Sequence, residues 1–170
     1  MSQGQDEDSG SAIDFQTARG RDWPSVRQYN VFVENRVGNL LSVVRRFESS
    51  DNRIVSLTVV DSADCAIIRM VLSNPERARE IFELAGLPIT ETDLLVVELP
   101  SGTQPLVQIC KALLGAEISI HYAYPLMVGP HGRAALALHV EDHETAVNTL
   151  SRLGYVIFTE KDLHSDEGLT

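Results

Sequence analysis

The chain has 170 residues, 44% of them hydrophobic, enough to bury one substantial core or two compact ones that share a sheet. Its formal charge is −10, from 24 acidic residues against 14 Lys plus Arg, which repels phosphate backbones and anionic lipid and sets nucleic acid and membrane surfaces aside as partners. Apolar runs such as 94–97 and 134–138 fall far short of the ~20 residues of a membrane-spanning helix. The N-terminal MSQGQDEDSGSA has neither the charged-then-apolar order of a secretory signal nor the Arg-rich character of a transit peptide, so the expected location is cytoplasmic.

Residues 1–26 are polar and acidic without sustained periodicity and read as a flexible tail, in which Ile13, Phe15 and Trp23 are apolar enough to dock on the domain or on a partner subunit. The next segment, 28–34, alternates around Val31 and Val33 as a strand does, and 39–50 carries the helical stripe Leu40, Val43, Val44, Phe47. Two β-branched runs, 54–60 and 66–72, flank the hairpin-type connection 61–64. Asn74 and Pro75 then start a helix, as N-cap and first helical residue, and Gly86 ends it. A short strand, 88–92, runs almost directly into another at 94–99.

From there the chain repeats itself. At an offset of 66, Leu106, Ile109, Cys110 and Leu113 reproduce the first helical stripe, and Ile120 falls on Ile54. At an offset of 68, Ala146, Leu150, Leu153 and Gly154 fall on Ala78, Phe82, Ala85 and Gly86. The second copy therefore reads as helix 105–115, strands 118–124 and 133–140, helix 143–153 and strand 155–159, and the polar end from Glu160 is expected to fray. The fold class is α+β: two tandem ferredoxin-like βαββαβ units with antiparallel sheets, a first repeat at 27–92, a second at 93–163 and a C-terminal tail at 164–170.

Such a unit lays both helices on one sheet face and leaves the other open. Ile68, Met70, Leu72 and Leu136, Leu138, Val140 fall on one side; Ile67, Arg69, Val71 and Ala135, Ala137, His139 fall on the other. The second side is too apolar to be fully wet yet carries two polar groups, so it is a packing surface, and a homodimer or higher homo-oligomer is the expected consequence.

The segment Val31-Phe-Val-Glu-Asn-Arg-Val-Gly38-Asn-Leu40-Leu, a helix, and then Ile54-Val-Ser-Leu-Thr-Val59 resembles the ACT domain of amino-acid-responsive regulatory proteins. The resemblance spans about 28–163 and occurs twice. It implies a regulatory protein that binds a small ligand, an amino acid, at the loop between first strand and first helix, with the second strand of a neighbouring unit as the opposing surface. Asn35, Arg36, Val37, Gly38, Asn39 and Leu40 are the corresponding loop, and Ser56, His121, Tyr122 and Tyr124 the opposing surface. A glycine before a helix lets backbone approach a ligand closely, the first helical N–H groups favour a carboxylate, and an Asn amide both donates and accepts. The second copy puts Gln104 where the family glycine belongs, with Gly102 two residues earlier, so Gly102, Thr103 and Gln104 form a weaker second site. The VENRVGNL and IVSLTV segments are also similar to the ACT part of acetolactate synthase small subunits, which makes a catalytic enzyme subunit an alternative partner; those proteins follow one ACT unit with a different domain, whereas this chain repeats the unit.

No cofactor, metal site or catalytic residue is expected. His121, His131, His139 and His143 lack helical metal-ligand spacing and an accompanying cysteine cluster, and Cys65 and Cys110 read as reduced thiols, Cys110 in a helix core. No nucleophile elbow or glycine-rich phosphate loop occurs. An RNA-recognition module would share the element order, but the strands at 66–72 and 134–138 carry no stacking aromatics.

Overall fold

The computed structural model describes residues 23–164. Strand β1 (Val26–Glu34) leads into a short α1 (Asn39–Val44) that tightens into a 3-10 turn at Arg45–Phe47. Strands β2 (Ile54–Asp61) and β3 (Cys65–Leu72) follow, then α2 (Pro75–Leu84) and a long β4 (Ile89–Glu98). The second unit continues with α3 (Pro105–Gly115), β5 (Ile120–Pro125), β6 (Ala135–Val140), α4 (His143–Arg152) and a short β7 (Ile157–Phe158). The expected α+β architecture of two βαββαβ units is present.

The four helices α1 to α4 start where the sequence says they should. Asn74 caps α2 by accepting from the Arg77 amide at 3.0 Å, and at the matching position Asp142 caps α4 by accepting from the Thr145 amide at 2.9 Å. The first helix is shorter than 39–50 because its hydrogen bonds contract to three-residue spacing, Glu48 to Arg45 and Ser50 to Phe47, and the Ser50 hydroxyl also donates to the Phe47 carbonyl. In both units only half of the helical stripe is buried: Val43 and Phe47 in the first, Ile109 and Leu113 in the second, while Leu40, Leu106 and Cys110 are exposed. Cys110 thus lies on the surface, contrary to its reading as a core thiol.

The sheet order is β2-β3-β1-β4-β6-β5, all antiparallel, with β7 on β4 as well. The two short strands expected around residue 93 are one strand. Residues 89–94 of β4 pair with β1, 95–98 pair with β6, and 96–97 also pair with β7. One helix-side core gathers Tyr29, Val31, Ile68 and Met70 under Phe47 and Phe82; the other gathers Leu95, Val97 and Leu138 under Ile109, Leu113 and Leu150.

A third core occupies the face that a single unit would leave open. Val26, Val55 and Val71 of the first unit pack with Tyr124, Ala135, Ala137 and Phe158 of the second around Leu94 and Val96 of the shared strand. The sheet curls until its two bare faces meet, so the surface expected to require a partner subunit is covered within the chain. The expected fraying at Glu160 gives way to a helix, α5 (Glu160–His164), whose Leu163 enters this core, and the Asp162 carboxylate accepts from both the Thr159 amide and hydroxyl at the turn into it. Ile13 and Phe15 lie outside the described residues. Trp23 packs on His143, with ring centroids 6.4 Å apart.

Because Leu94 is fully buried in the core that joins both units, Leu94→Ala is expected to destabilise the whole protein by about 2–5 kcal/mol. Chemical denaturation followed by Trp23 fluorescence and by far-UV circular dichroism should give coincident transitions in both proteins. A variant in which one probe shifts and the other does not would separate the units and contradict the shared core.

Candidate functional site

The 35–40 loop is organised by its own residues. The Asn39 side-chain amide donates to the Glu34 carbonyl at 2.7 Å, Arg36 pairs with the Glu34 carboxylate at 2.8 Å, and the Asn35 amide donates to Asp61 at 2.6 Å and to the Ser62 carbonyl at 3.1 Å. These last two bonds use the Asn35 donors on the β2–β3 hairpin and leave its oxygen free to accept. Gly38 sits at the helix N-cap with φ 90°, in the left-handed region where a side chain is strained, and no atom lies within 4 Å of where its Cβ would be. Val37 is fully exposed and Leu40 and Leu41 are largely so. Beside the loop a cavity of about 360 Å³ is lined by Gly38, Leu41, Ser42, Arg45 and Arg46.

The second loop is built differently. Gly102 takes φ 133°, but Gln104, the residue before α3, has φ −135° and ψ 62°, outside the left-handed region. The neighbouring cavity, also about 360 Å³, is lined by Ser101 and Gln108 and by the end of α4, and Gly102, Thr103 and Gln104 do not line it.

The remaining candidate residues lie elsewhere in the chain. β1 and β2 flank β3 and run parallel, so the 35–40 loop lies beside 61–64, at the far end of β2 from Ser56. Ser56 is buried, its hydroxyl donating to the Pro125 carbonyl at 2.6 Å. Tyr122 and Tyr124 belong to a polar seam between the two sheet faces that sequence reasoning missed. The fully buried Gln28 donates to Tyr122 Oη at 2.9 Å and to Asn30 Oδ1 at 2.6 Å, and accepts from Tyr124 Oη at 2.5 Å. Asn30 passes the chain on to Thr90 and Thr92, at 3.1 and 2.9 Å. The Arg69 guanidinium lies 3.8 Å from the Tyr122 ring centroid, and His139 packs against Tyr122 and His121 at 4.9 and 5.0 Å between ring centroids. The one signal in the sequence was the pair Gln28, Asn30 at alternate positions of a strand.

Two further chemical readings are bounded by the structure. Among the described residues no three His, Cys, Asp or Glu side chains come together as a metal site, and no helix is long and apolar enough to cross a membrane.

The seam makes two expectations. Gln28→Ala leaves two tyrosine hydroxyls without their partner and should cost about 1–3 kcal/mol, and markedly less in a Tyr122→Phe, Tyr124→Phe background; equal costs by denaturant titration in both backgrounds would remove the network. Burial, then the neighbouring His121, Arg69 and His143, holds the His139 pKa below its ordinary value of 6.5. The folded state therefore resists the proton that the unfolded chain accepts, so stability is complete above pH 6.5 and declines as pH falls below it. The thermal midpoint should drop between neutral and mildly acidic pH, and less in His139→Gln; an unchanged slope in that variant would assign the loss to other groups.

The comparisons with known proteins converge on one family. The family model described as an ACT domain pair matches residues 24–165. A crystal structure of a protein from Bacteroides thetaiotaomicron is similar with a TM-score of 0.74 at 19% identity, over 82% of this chain and 96% of that one. The ligand-free regulatory subunit of aspartate kinase from Thermus thermophilus is similar with a TM-score of 0.52 at 12% identity, over 77% and 93% of the two chains. At these identities the likeness is one of fold. No curated protein matches the sequence. With 24–165 matched by the family model and both βαββαβ units in place, the chain belongs to the ACT domain pair family.

Proposed function

We propose that this protein is a non-catalytic regulatory module that binds an amino acid at the 35–40 loop, in a homodimer whose second copy completes the site. Membership of the ACT domain pair family supports a regulatory, ligand-binding role. The observation that carries the reading is Gly38: a left-handed residue at the helix start, with open space where a side chain would stand, in a loop already fixed by Asn35, Arg36 and Asn39. Backbone at such a point is accessible to a ligand at little ordering cost.

The surroundings match a zwitterion. Arg45, Arg46 and the Ser42 hydroxyl line the cavity on one side of Gly38 and can take a carboxylate, while Asn35 Oδ1 and the Asp61 carboxylate on the other side can accept from an ammonium group. The six-residue α1 is too short for its dipole to contribute much, so the arginines carry the anion affinity. The second loop lacks a left-handed residue beside its helix and is the weaker site. Ser56, Tyr122 and Tyr124 are turned inward in the same chain, so the opposing surface comes from a second copy. Its natural docking edge is β2, which among the described residues pairs only with β3 and exposes Val59 and Val60.

Thermal unfolding in the presence of each proteinogenic amino acid at millimolar concentration tests this directly. One amino acid, or a chemically related subset, should raise the midpoint, by the equivalent of about 2.7 kcal/mol at a hundredfold excess over Kd. Gly38→Val, itself destabilising by about 1–2 kcal/mol through its positive φ, should abolish that response. A wild-type protein that no amino acid stabilises would overturn the proposal, and sedimentation showing only monomer with and without ligand would overturn its dimeric part.

A further inference from the structure

A second cavity adjoins α1 and shares Leu41 and Arg45 with the one beside Gly38. It is an open cleft of about 630 Å³, within the size range of small-molecule sites, between the outer side of α1 with its 3-10 turn, the start of β2, and the loop after β5. Leu41, Val44, Phe47 and Val55 of the first unit and Val128 of the second make its apolar wall, and Arg45, Glu48 and Arg53 are its charged groups.

Three observations define what it can hold. First, the wall contributed by the second unit is fixed in place. The Met127 amide donates to the Val55 carbonyl at 2.8 Å, and a Cβ on Gly129 would lie 1.5 Å from the Arg133 carbonyl oxygen, so the loop is locked against its own return strand. Second, the apolar surface is left uncovered: Leu41 and Val128 are each about half exposed, at 54% and 50%. Third, the cations are unspent. Arg27, Arg36, Arg77, Arg79 and Arg133 all sit against carboxylates, whereas Arg45 and Arg53 make no ion pair among the described residues, and the Arg53 Nε is buried without an acceptor. In a chain of formal charge −10, two uncommitted arginines facing one glutamate make this cleft a local site of positive charge.

An apolar body with a net negative charge satisfies all three. We propose that the cleft between the two units binds a small monocarboxylate with a branched or aromatic body, its carboxylate on Arg45 and Arg53 and its apolar part on Leu41, Val44, Phe47, Val55 and Val128. One glutamate against two arginines leaves an uncompensated positive charge, which selects the simple acid over its amino-acid counterpart, whose added ammonium gains little here. What the cleft can hold does not depend on the amino-acid reading of the 35–40 loop, although Leu41 and Arg45 line both cavities. Because Val128 belongs to the second unit, an occupant bridges the two halves of the chain.

The test is isothermal titration of the full-length protein with isocaproate and hydrocinnamate, with the neutral alcohols of the same skeletons, and with leucine and phenylalanine as the zwitterions. The acids are expected to bind at least about tenfold more tightly than the alcohols, the difference a charge-assisted hydrogen bond makes, and more tightly than the zwitterions, whose ammonium meets the net positive charge of the cleft. Arg53→Gln should erase the preference over the alcohols, and Val128→Trp, a change at a half-exposed loop position, should fill the cleft and abolish binding with the thermal midpoint retained. Gly38→Val should leave acid binding intact. Alcohols or zwitterions binding as tightly as the acids, acid binding that survives Val128→Trp, acid binding lost in Gly38→Val, or no acid binding at millimolar concentration would each overturn the proposal. A loop that responds to amino acids while the cleft ignores acids, or the reverse, separates failure of this inference from failure of the functional reading.

Discussion

Everything in this molecule follows from β4 serving as the last strand of one unit and the first strand of the next. With no linker between the two sheets, they cannot separate or choose an arbitrary angle; strand twist turns one against the other along ten residues of continuous backbone. Leu94 and Val96 project from that strand on the face opposite both helix layers, and each is fully buried there. The bare faces of the two units are thereby brought together, and the apolar residues that a lone unit would expose to water become a third core.

Closing the faces also requires the edge strands to change register. In β2 the pairing steps from Ile54 with Leu72 to Ser56 with Val71, and in β5 from Ile120 with Val140 to Tyr122 with His139. Each is a bulge at the same place in the repeat. A strand with period two would have kept Tyr122 on the helix side with Ile120; the inserted residue moves Tyr122 and Tyr124 inward, where Gln28 meets them. The two tyrosine hydroxyls of the seam are satisfied because three side chains, from β1 and β5, share the one Gln28 amide.

These two devices mark the limit of what the chain discloses in one dimension. Local signals were legible: the duplicated Val43, Phe47 and Ile109, Leu113 spacing, the Asn74 cap, and the glycine before α1 all state local backbone needs. The curl and the bulges are tertiary choices, made by side chains 94 and 96 residues apart in sequence, Gln28 with Tyr122 and Tyr124, and no local window carries them. For the same reason Cys110 looked buried from helical periodicity, although α3 packs by only one edge of its stripe, and Glu160 looked like a fraying end, although Leu163 beneath it is needed to close the inner core. Of the candidate site, the loop residues were legible and their separation from Ser56 and Tyr122 was not, since that depends on which end of β2 the chain returns to.

α1 lies beside both proposed binding sites. Leu41 and Arg45 line both the cavity beside Gly38 and the larger cleft against Val128, so one short helix faces two binding volumes. That helix is six residues long, passes into a 3-10 turn, and is anchored in the core mainly by Val43 and Phe47. An element with so few buried contacts shifts at low cost, which is the property a coupling element needs. If both proposed sites hold a carboxylate, they compete for the Arg45 guanidinium, which lines both cavities. Two ligands bound through a shared side chain are antagonists by linkage, each weakening the other by the same factor. β2 begins at the floor of that same cleft with Ile54 and Val55, whose carbonyl the Met127 amide occupies, and the proposed docking edge lies further along the strand at Val59 and Val60.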